Sequence, residues 1–330
     1  MARRITVLGD GGWGTCLATL LNSFGHQVTL WGAFPEYIEE IRRKHENCKF
    51  LPGISLSPSI ELTADLGRVF QDPQVLVVAV PSQYLRGVLR RCPRDPWKRF
   101  LTVSVVKGIE PESLLRMSEL LRSLVPADRL AVLSGPSISY EVARGVPTTV
   151  VAASEDPAAA REAQQIFTTE RFRVYTSGDV VGVELGGALK NVVAIACGTA
   201  DGMGFGTNTK AALATRGLVE MGRLGAAMGA DTRTFSGLSG LGDLITTCFS
   251  PHSRNRSVGE KLGKGASVKE ITGGMQQVAE GITTAQSAYA LAKRHNVEMP
   301  IATAVYQVLY ENRSPQEMVR ELMSRELKSE

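Results

Sequence analysis

The sequence predicts an α/β domain built on a parallel sheet, followed by an all-α domain. In the first half, short β-branched runs alternate with helix-like stretches, whereas from about Gly178 only long segments with helical periodicity remain. A chain of 330 residues also exceeds what one hydrophobic core usually organises, since domains cluster around ~100 to 200 residues. We therefore expect two domains, residues 1–180 and 181–330.

The predicted strands are uniformly apolar, which is typical of a parallel sheet buried on both faces. They are Ile5–Leu8, Gln27–Trp31, Val75–Val80, Phe100–Val106, Leu130–Leu133, Thr148–Ala152 and Phe172–Tyr175. Helical segments at Thr15–Phe24, Ser113–Val125 and Pro157–Thr168 lie between them. The first of these is followed by Gly25, placed as a helix C′ residue, and completes a βαβ unit.

The second half is predicted to be helical. Its periodic segments are Val180–Ala200, Lys210–Met228, Ile282–His295 and Ile301–Tyr310. A last helix is indicated by a capping box with Ser314 as N-cap, Pro315 at N1 and Glu317 at N3.

The composition excludes several classes of protein. The net charge is +4 with lysines and arginines scattered among acids, so nucleic-acid or stable membrane binding is not expected. The five cysteines are widely spaced and form no CxxC, which argues for reduced thiols and against a metal site. The N-terminal apolar run is too short for a signal peptide, and no run reaches the ~18 apolar residues of a membrane span. We therefore expect a cytoplasmic location.

The first strand runs into Gly9–Gly14, a G-x-G-x-x-G between a predicted strand and a predicted helix. Gly9 permits the tight turn, Gly11 lets the backbone approach a pyrophosphate, and Gly14 allows close helix packing. The helix N-terminus offers unpaired N–H groups and a positive dipole end to the anion. This context favours dinucleotide binding over a merely structural turn.

The residue that reads the ribose is expected about 20 positions further on, at the end of the second strand. The chain there has Gly32, Ala33 and Phe34, with neither an acid for a 2′-hydroxyl nor a base for a 2′-phosphate. The choice between NADH and NADPH stays open at this point.

Two motifs follow predicted strands, at the sheet edge where open α/β sheets bind ligands. Lys107 follows one strand and is expected to face the cleft, although a solvated loop lysine is the alternative. Ser134–Ser137 ends the next strand, and its small residues and rigid proline leave backbone N–H groups to meet a polar ligand. By itself this motif could be an ordinary turn.

Lys190 lies in an apolar helical run, where burial without a partner would be costly. A buried lysine with a lowered pKa can exchange protons near neutral pH, as carbonyl reduction requires; a lysine on an exposed helical stripe is the alternative. Asp243 lies at a predicted helix start, either as a cap or as the partner of Lys190.

Ser253–Arg256 groups a hydroxyl, an amide and two guanidiniums, a compact donor set for a phosphate, unless it is an exposed basic loop. The four histidines form no triad, and no nucleophile elbow is visible, so covalent hydrolytic chemistry is not expected.

Taken together, six motifs resemble those of the bacterial NAD(P)-dependent glycerol-3-phosphate dehydrogenases. They are Gly9–Gly14, Val106–Gly108, Ser134–Ser137, Gly187–Asn191, Gly240–Leu244 and Ser253–Arg256, in family order from residue 4 to about residue 311. The resemblance implies a Rossmann-type domain followed by an all-α domain like the C-terminal domain of 6-phosphogluconate dehydrogenase. It also implies reversible reduction of dihydroxyacetone phosphate to sn-glycerol 3-phosphate, a phospholipid precursor, with NAD(H) or NADP(H).

The resemblance assigns roles to single residues. Lys190 matches the catalytic lysine that exchanges a proton with the substrate, with Lys107 and Asp243 ordering the polar site around it. Positions that match substrate-binding residues are Lys107, Gly135, Ser137, Lys190, Asp243, Ser253, Arg254 and Asn255. Positions that match cofactor-binding residues are Gly9, Gly11, Gly12, Trp13, Gly14, Ala33, Lys107, Ser139, Arg254, Val278 and Glu280. The cofactor is thus expected to contact both domains.

Two positions depart from the family pattern. Gly12 stands where the family commonly has Ser, and Ala33 stands where it has His or Arg. The second change weakens the case for a 2′-phosphate contact and slightly favours NADH, so Ala33→Arg is expected to improve NADPH use.

Two other functions compete with this one. A β-hydroxyacid-type dehydrogenase acting on a sugar acid would need carboxylate recognition, whereas Ser253–Asn255 suits a phosphate better. A catalytically inactive nucleotide sensor would have no need of Lys190 beside Asp243. Because family members are usually dimers, the resemblance also implies a homodimer.

Overall fold

The structure, a computed structural model, describes residues 2–275, 278–327 and 329. It divides into two compact units, Met1–Lys107 with Leu115–Glu184, and Gly108–Leu114 with Leu185–Glu330. No feature of the sequence predicted that the short segment Gly108–Leu114 would belong to the second unit. Its carbonyl of Ile109 accepts a hydrogen bond of 3.0 Å from Ser287 Oγ of that unit.

The first unit contains one eight-stranded sheet with strand order β3-β2-β1-β4-β5-β6-β7-β8. The strands are β1 Arg4–Leu8, β2 Gln27–Trp31, β3 Glu61–Thr63, β4 Val75–Val78, β5 Leu101–Ser104, β6 Leu130–Ser134, β7 Thr148–Ala153 and β8 Phe172–Ser177. All seven expected strands are present, and β3 is an addition at the edge.

The sheet is parallel except between β6 and β7, which pair antiparallel. The expectation of a wholly parallel sheet is wrong at this pair. The connection between the two strands contains only the five-residue helix α6, Ser139–Ala143, whereas a parallel crossover usually needs a helix long enough to return along the sheet. The longer helix α7, Pro157–Phe167, then allows β8 to pair parallel to β7.

Both faces of the sheet are buried, because alternate residues of its central strands point to opposite sides. Val75 and Val77 of β4 join a core with Leu17 and Leu21. Leu76 and Val78 join the other core, which contains Trp97 and Phe100. The side chains on both faces leave only the strand ends for polar chemistry, and these ends carry the predicted ligand-binding motifs.

The remaining helices of the first unit are amphipathic or short. They are α1 Gly12–Ser23, α2 Pro35–Lys44, α3 Leu66–Val69, α4 Ser82–Leu89 and α5 Met117–Leu124. Helix α5 begins four residues later than predicted, because Leu114 has a φ of 61° and cannot belong to a helix. The Glu119 carboxylate accepts from Arg116 N–H at 2.9 Å where the helix starts.

The second unit is helical, as predicted. Its helices are α8 Val180–Gly202, which belongs to this unit from Leu185 on, α9 Thr207–Ala227, α10 Asp243–Phe249, α11 Arg254–Gly263, α12 Val268–Gly273, α13 Glu280–Arg294, α14 Pro300–Tyr310 and α15 Pro315–Met323. The predicted capping box of α15 is confirmed, since Ser314 Oγ accepts from Glu317 N–H and Glu317 accepts from Ser314 N–H.

Helix α8 is the element on which the second unit is built. By length and composition it could cross a membrane, but 89% of its most apolar 18-residue window is buried inside the protein, as expected of a core helix. Glycines let α11 lie directly on it: a Cβ at Gly198 would lie 2.0 Å from Arg256 O, and one at Gly259 would lie 2.0 Å from Ile195 O. This close approach brings the start of α11 to the middle of α8.

Candidate active site

The glycine-rich loop at the end of β1 has the geometry that its sequence predicts. Gly9 has a φ of 125°, and a Cβ there would lie 2.8 Å from the main chain of Ala79. A Cβ at Gly14 would lie only 1.9 Å from Gly9 O. Both positions therefore require glycine for the fold itself.

Gly11 is different, because a Cβ there would have no atom within 4 Å. The first hydrogen bond of α1 joins Thr15 N–H to Gly11 O at 2.9 Å, so the amides of the three residues between them lie in the helix N-terminus without an intrahelical acceptor. Open space above Gly11 and donors at the helix end fit the pyrophosphate of a dinucleotide. Ser139 Oγ lies 4.0 Å from the position of a Cβ on Gly12, so Ser139 borders this loop.

The unusual Gly12 has a local cause. A Cβ at this position would lie 2.6 Å from the carbonyl oxygen of Phe50. In this chain the main chain at Phe50 fills the space that a serine side chain would need.

Three other predicted site residues of the first unit, Lys107, Gly135 and Ser137, lie together. Lys107 Nζ donates to Gly135 O at 2.9 Å and to Ser137 Oγ at 3.4 Å. Ser137 Oγ in turn donates to Gly135 O at 2.9 Å. Gly135 has a φ of 132°, and a Cβ would lie 3.0 Å from Val150 Cα. Lys107 is thus half-buried and held against the end of β6, rather than being a solvated loop lysine.

Lys190 lies in the buried part of α8, with 6% of its surface exposed, and Asp243 is 1% exposed. Lys190 Nζ donates to Asp243 Oδ1 and, at 2.8 Å, to Thr247 Oγ1. Thr247 Oγ1 donates to the carbonyl of Asp243 at 2.6 Å. We call Lys190, Asp243 and Thr247 the Lys190 cluster.

The backbone explains how two distant segments form this cluster. A Cβ at Gly186 would lie 2.5 Å from Ser239 O, so α8 and the single π-helical turn Leu238–Gly242 are in direct contact there. Lys190 lies one helical turn after Gly186 on the same face of α8. The π-helical turn ends where Asp243 begins α10, which places its carboxylate beside Nζ.

The two alternatives left open by the sequence are thereby resolved. Lys190 is buried and not on an exposed stripe. Asp243 is not a helix cap, since the N-cap of α10 is Gly242, which has no side-chain cap. A buried ammonium is tolerated because a buried carboxylate and a hydroxyl accept its protons.

Ser253, Arg254 and Asn255 form the N-terminus of α11. Ser253 Oγ accepts from Arg256 N–H at 3.2 Å and is the N-cap. Asn255 is 8% exposed, and its side chain donates to Asn191 Oδ1 at 2.8 Å and accepts from Gly281 N–H at 2.9 Å. The exposed basic loop proposed as the alternative is therefore an ordered helix start.

Arg254 connects this helix start to two further predicted residues. Its Nη1 donates to the carbonyl of Val278 at 3.0 Å. Glu280, two residues later, begins α13. The structure thus groups Arg254, Val278 and Glu280, three of the predicted cofactor-binding residues.

Comparison with known proteins assigns the chain to a family. Family models described as the N-terminus and the C-terminus of NAD-dependent glycerol-3-phosphate dehydrogenase match residues 4–160 and 179–320. The chain belongs to the NAD-dependent glycerol-3-phosphate dehydrogenase family.

Individual family members resemble the chain over its whole length. It is 51% identical to the glycerol-3-phosphate dehydrogenase [NAD(P)+] of Citrifermentans bemidjiense, covering 100% of this chain and 99% of that protein. The Geobacter sulfurreducens protein of the same name is 50% identical, with the same coverage. The crystal structure of glycerol-3-phosphate dehydrogenase from Coxiella burnetii has a TM-score of 0.92 at 35% identity and covers 98% of this chain and 99% of that one.

This glycerol-3-phosphate dehydrogenase family member is an NAD(P)-dependent oxidoreductase with a Rossmann-like N-terminal domain and a helical C-terminal domain, and its cofactor is NAD(H) or NADP(H). Within the residues that the structure describes, no group of three or more His, Cys, Asp or Glu side chains could hold a metal ion.

Sequence reasoning missed two polar residues of this dehydrogenase's second unit. Thr247 accepts from Lys190, and Asn191 orients Asn255. Each had a signal: Thr247 is four residues after Asp243 on one helix face, and Asn191 is a second polar residue in the apolar run around Lys190.

Proposed function

We propose that this protein catalyses the reversible reduction of dihydroxyacetone phosphate to sn-glycerol 3-phosphate. The Lys190 cluster is the observation that carries the proposal, because it holds a buried ammonium ready to exchange a proton with a carbonyl or hydroxyl oxygen. The names of the 50% identical relatives support the same substrate.

The chemistry divides between a hydride and a proton. When bound, the dinucleotide supplies the hydride in one direction and accepts it in the other. Lys190 donates a proton to the substrate oxygen at C2 during reduction, so that no full negative charge is left there; in oxidation the neutral amine accepts the hydroxyl proton. Asp243 and Thr247 orient Nζ for this step.

Phosphate recognition is proposed for the start of α11. The helix N-terminus offers amides and a positive dipole end, and Arg254 adds a guanidinium. Ser253 and Asn255 hold this helix start in place and are proposed to contact the substrate there. In the first unit, Lys107, Gly135 and Ser137 are proposed to bind the substrate through the polar group that they form.

The cofactor is proposed to bind the glycine-rich loop with Trp13, Ala33, Lys107 and Ser139, together with Arg254, Val278 and Glu280. Residues 1–180 are the proposed dinucleotide-binding domain, and residues 181–330 the proposed substrate domain. In the cell we propose a cytoplasmic homodimer that supplies glycerol phosphate for phospholipids; the low net charge argues against a membrane-bound role.

The test is oxidation of NADH and NADPH at 340 nm with dihydroxyacetone phosphate, in parallel with dihydroxyacetone and a panel of sugar acids. Oxidation with the phosphate ester alone is expected. Activity with a sugar acid would support the β-hydroxyacid alternative. Tight dinucleotide binding without turnover of any substrate would overturn the proposal and favour the nucleotide sensor.

A further inference from the structure

At the end of β2, the dinucleotide site has neither an acidic nor a basic side chain at Gly32 or Ala33 to contact the ribose. Strand β2 ends at Trp31 and is followed by Gly32 and the exposed Ala33. In Rossmann-type domains a side chain at this strand end contacts the ribose nearest the adenine. Any discrimination between NADH and NADPH must therefore come from another part of the chain.

Asp10 fills the space over Gly32. A Cβ on Gly32 would lie 2.4 Å from Asp10 Oδ2 and 2.6 Å from Asp10 Cγ. The carboxyl group thus lies where a side chain at position 32 would begin, although it comes from the glycine-rich loop. The loop is fixed there, because Asp10 O accepts from Asn47 Nδ2 at 2.7 Å and from Thr15 Oγ1 at 3.1 Å.

The charge of Asp10 is weakly compensated. Its Oδ2 is buried without a hydrogen-bond partner among the described residues. The charged and titratable groups that face it are the ammonium of Lys49, which lowers its pKa, and the hydroxyl of Tyr37. Burial is the largest effect and raises the pKa of Asp10 to about 6, against the lowering effects of a backbone hydrogen bond at Asp10 and of Lys49. Above that pH the site carries a negative charge at the end of β2.

We propose that Asp10 determines cofactor choice, its carboxylate repelling the 2′-phosphate of NADPH and so favouring NADH. The inference rests on the dinucleotide cofactor of the proposed function. An NADH ribose brings no charge to this position, whereas a 2′-phosphate brings up to two negative charges close to an acid whose own charge Lys49 offsets only in part. This chain, with Ala33 and Asp10, should therefore disfavour NADPH, whereas a chain with His or Arg at position 33 offers a cation to the 2′-phosphate.

The test is Asp10→Asn, which keeps the shape of the side chain and removes its charge. Dissociation constants for NADH and NADPH are measured by fluorescence titration at pH 8, without substrate. Asp10→Asn is expected to raise the affinity for NADPH relative to NADH roughly tenfold. The matched control is Asp128→Asn. Asp128 is exposed and lies before the amino end of β6, whereas Asp10 follows the carboxyl end of β1. Its substitution should leave the ratio unchanged.

A pH series separates this charge from the titration of the 2′-phosphate itself. As the pH falls from 8 to 5.5, wild type should lose NADH preference more steeply than Asp10→Asn, because only wild type also protonates Asp10. A second variant, Gly32→Ala, places a methyl group against the carboxyl and should shift the ratio in the same direction as Asp10→Asn.

An unchanged affinity ratio in folded Asp10→Asn and Gly32→Ala would overturn the role of Asp10 and leave the dehydrogenase function intact. Failure of wild type to bind either dinucleotide would instead overturn both. A shift of equal size in Asp128→Asn would show a general charge effect and would also overturn the assignment.

Discussion

The glycine-rich loop of the first unit and the Lys190 cluster of the second are built in opposite ways. In the loop, main-chain amides are the proposed binding groups, and the absence of side chains at Gly9 and Gly14 sets the geometry. In the Lys190 cluster, three side chains make the site, and two of them are 53 positions apart in sequence. The loop is local and can be recognised from its spacing, whereas the cluster depends on how α8 packs against the turn before α10.

The largest expected effect concerns the Lys190 cluster. Lys190→Ala removes the proposed proton donor and should lower kcat by ~10² to 10⁴, the usual range for general acid catalysis. NADH affinity, measured by fluorescence titration, should stay close to wild type. Lys264→Ala is the matched control, because Lys264 is exposed in the same unit and forms a surface ion pair with Glu260.

Stability and catalysis can be separated at this cluster. Lys190→Ala leaves the Asp243 carboxylate buried without its cation, so Tm should also fall. Adding Asp243→Asn should restore part of the Tm but none of the turnover. A single Lys190 variant that retains kcat within a few-fold of wild type would show that Lys190 has a structural role only.

The loop offers a contrast between two glycines. Gly14→Ala would place a methyl group 1.9 Å from Gly9 O and should cost about 3 kcal/mol or more of unfolding free energy, seen as a lower Tm. Gly11→Ala meets no atom within 4 Å, and Gly11 has an ordinary φ of −62°, so Tm should change little. Its methyl group should instead weaken NADH binding, by occupying the space above the loop. Equal effects of both substitutions on Tm would contradict this division.

A second buried carboxylate in the helical unit, Glu220, can be compared with Asp243, which is paired with the ammonium of Lys190. Glu220 accepts from Ile301 N–H at 2.7 Å and Ala302 N–H at 3.1 Å at the start of α14. Burial raises its pKa from 4.5 to about 7, against the lowering effects of these two amides and of Arg223 and Arg325. Between these pH values the folded protein binds the proton more tightly than the unfolded chain, so stability falls as pH rises.

The unfolding free energy that Glu220 contributes should fall by about 3 kcal/mol as the pH rises from 4.5 to 7. Glu220→Gln cannot titrate, so its Tm should improve relative to wild type as pH rises through that window. Glu311→Gln, at an exposed position at the end of α14, is the control. A Tm difference between wild type and Glu220→Gln that does not vary with pH would contradict the raised pKa.

The same contrast between local and distant contacts explains which features of the fold could be predicted from the sequence. The strands other than β3, the long helices and the capping box at Ser314 were predictable because each depends on neighbouring residues. The antiparallel pairing of β6 and β7 and the late start of α5 after Leu114 were not, because they depend on a short connection and on one left-handed residue.

The candidate site shows the same limit. Family motifs identified Lys190 and Asp243, but only the folded chain shows that Thr247 joins them. Asp10 occupies a variable position of the glycine motif and attracts no attention in the sequence. Its proximity to Gly32 arises from the pairing of β1 with β2, which brings the ends of the two strands together.

The smallest expected effect concerns the cofactor site of the first unit, at the end of β2. Ala33 is exposed one residue beyond Gly32, so Ala33→Arg can place a guanidinium at the end of β2 without displacing the core. A guanidinium there binds a 2′-phosphate and also offsets the charge of Asp10, so kcat/KM for NADPH relative to NADH should rise by roughly threefold to tenfold. In the Asp10→Asn background the gain should be smaller, because the repulsion that Arg would offset is already removed. An unchanged cofactor ratio in both backgrounds would show that the end of β2 does not contact this ribose, and would refute this account of the site.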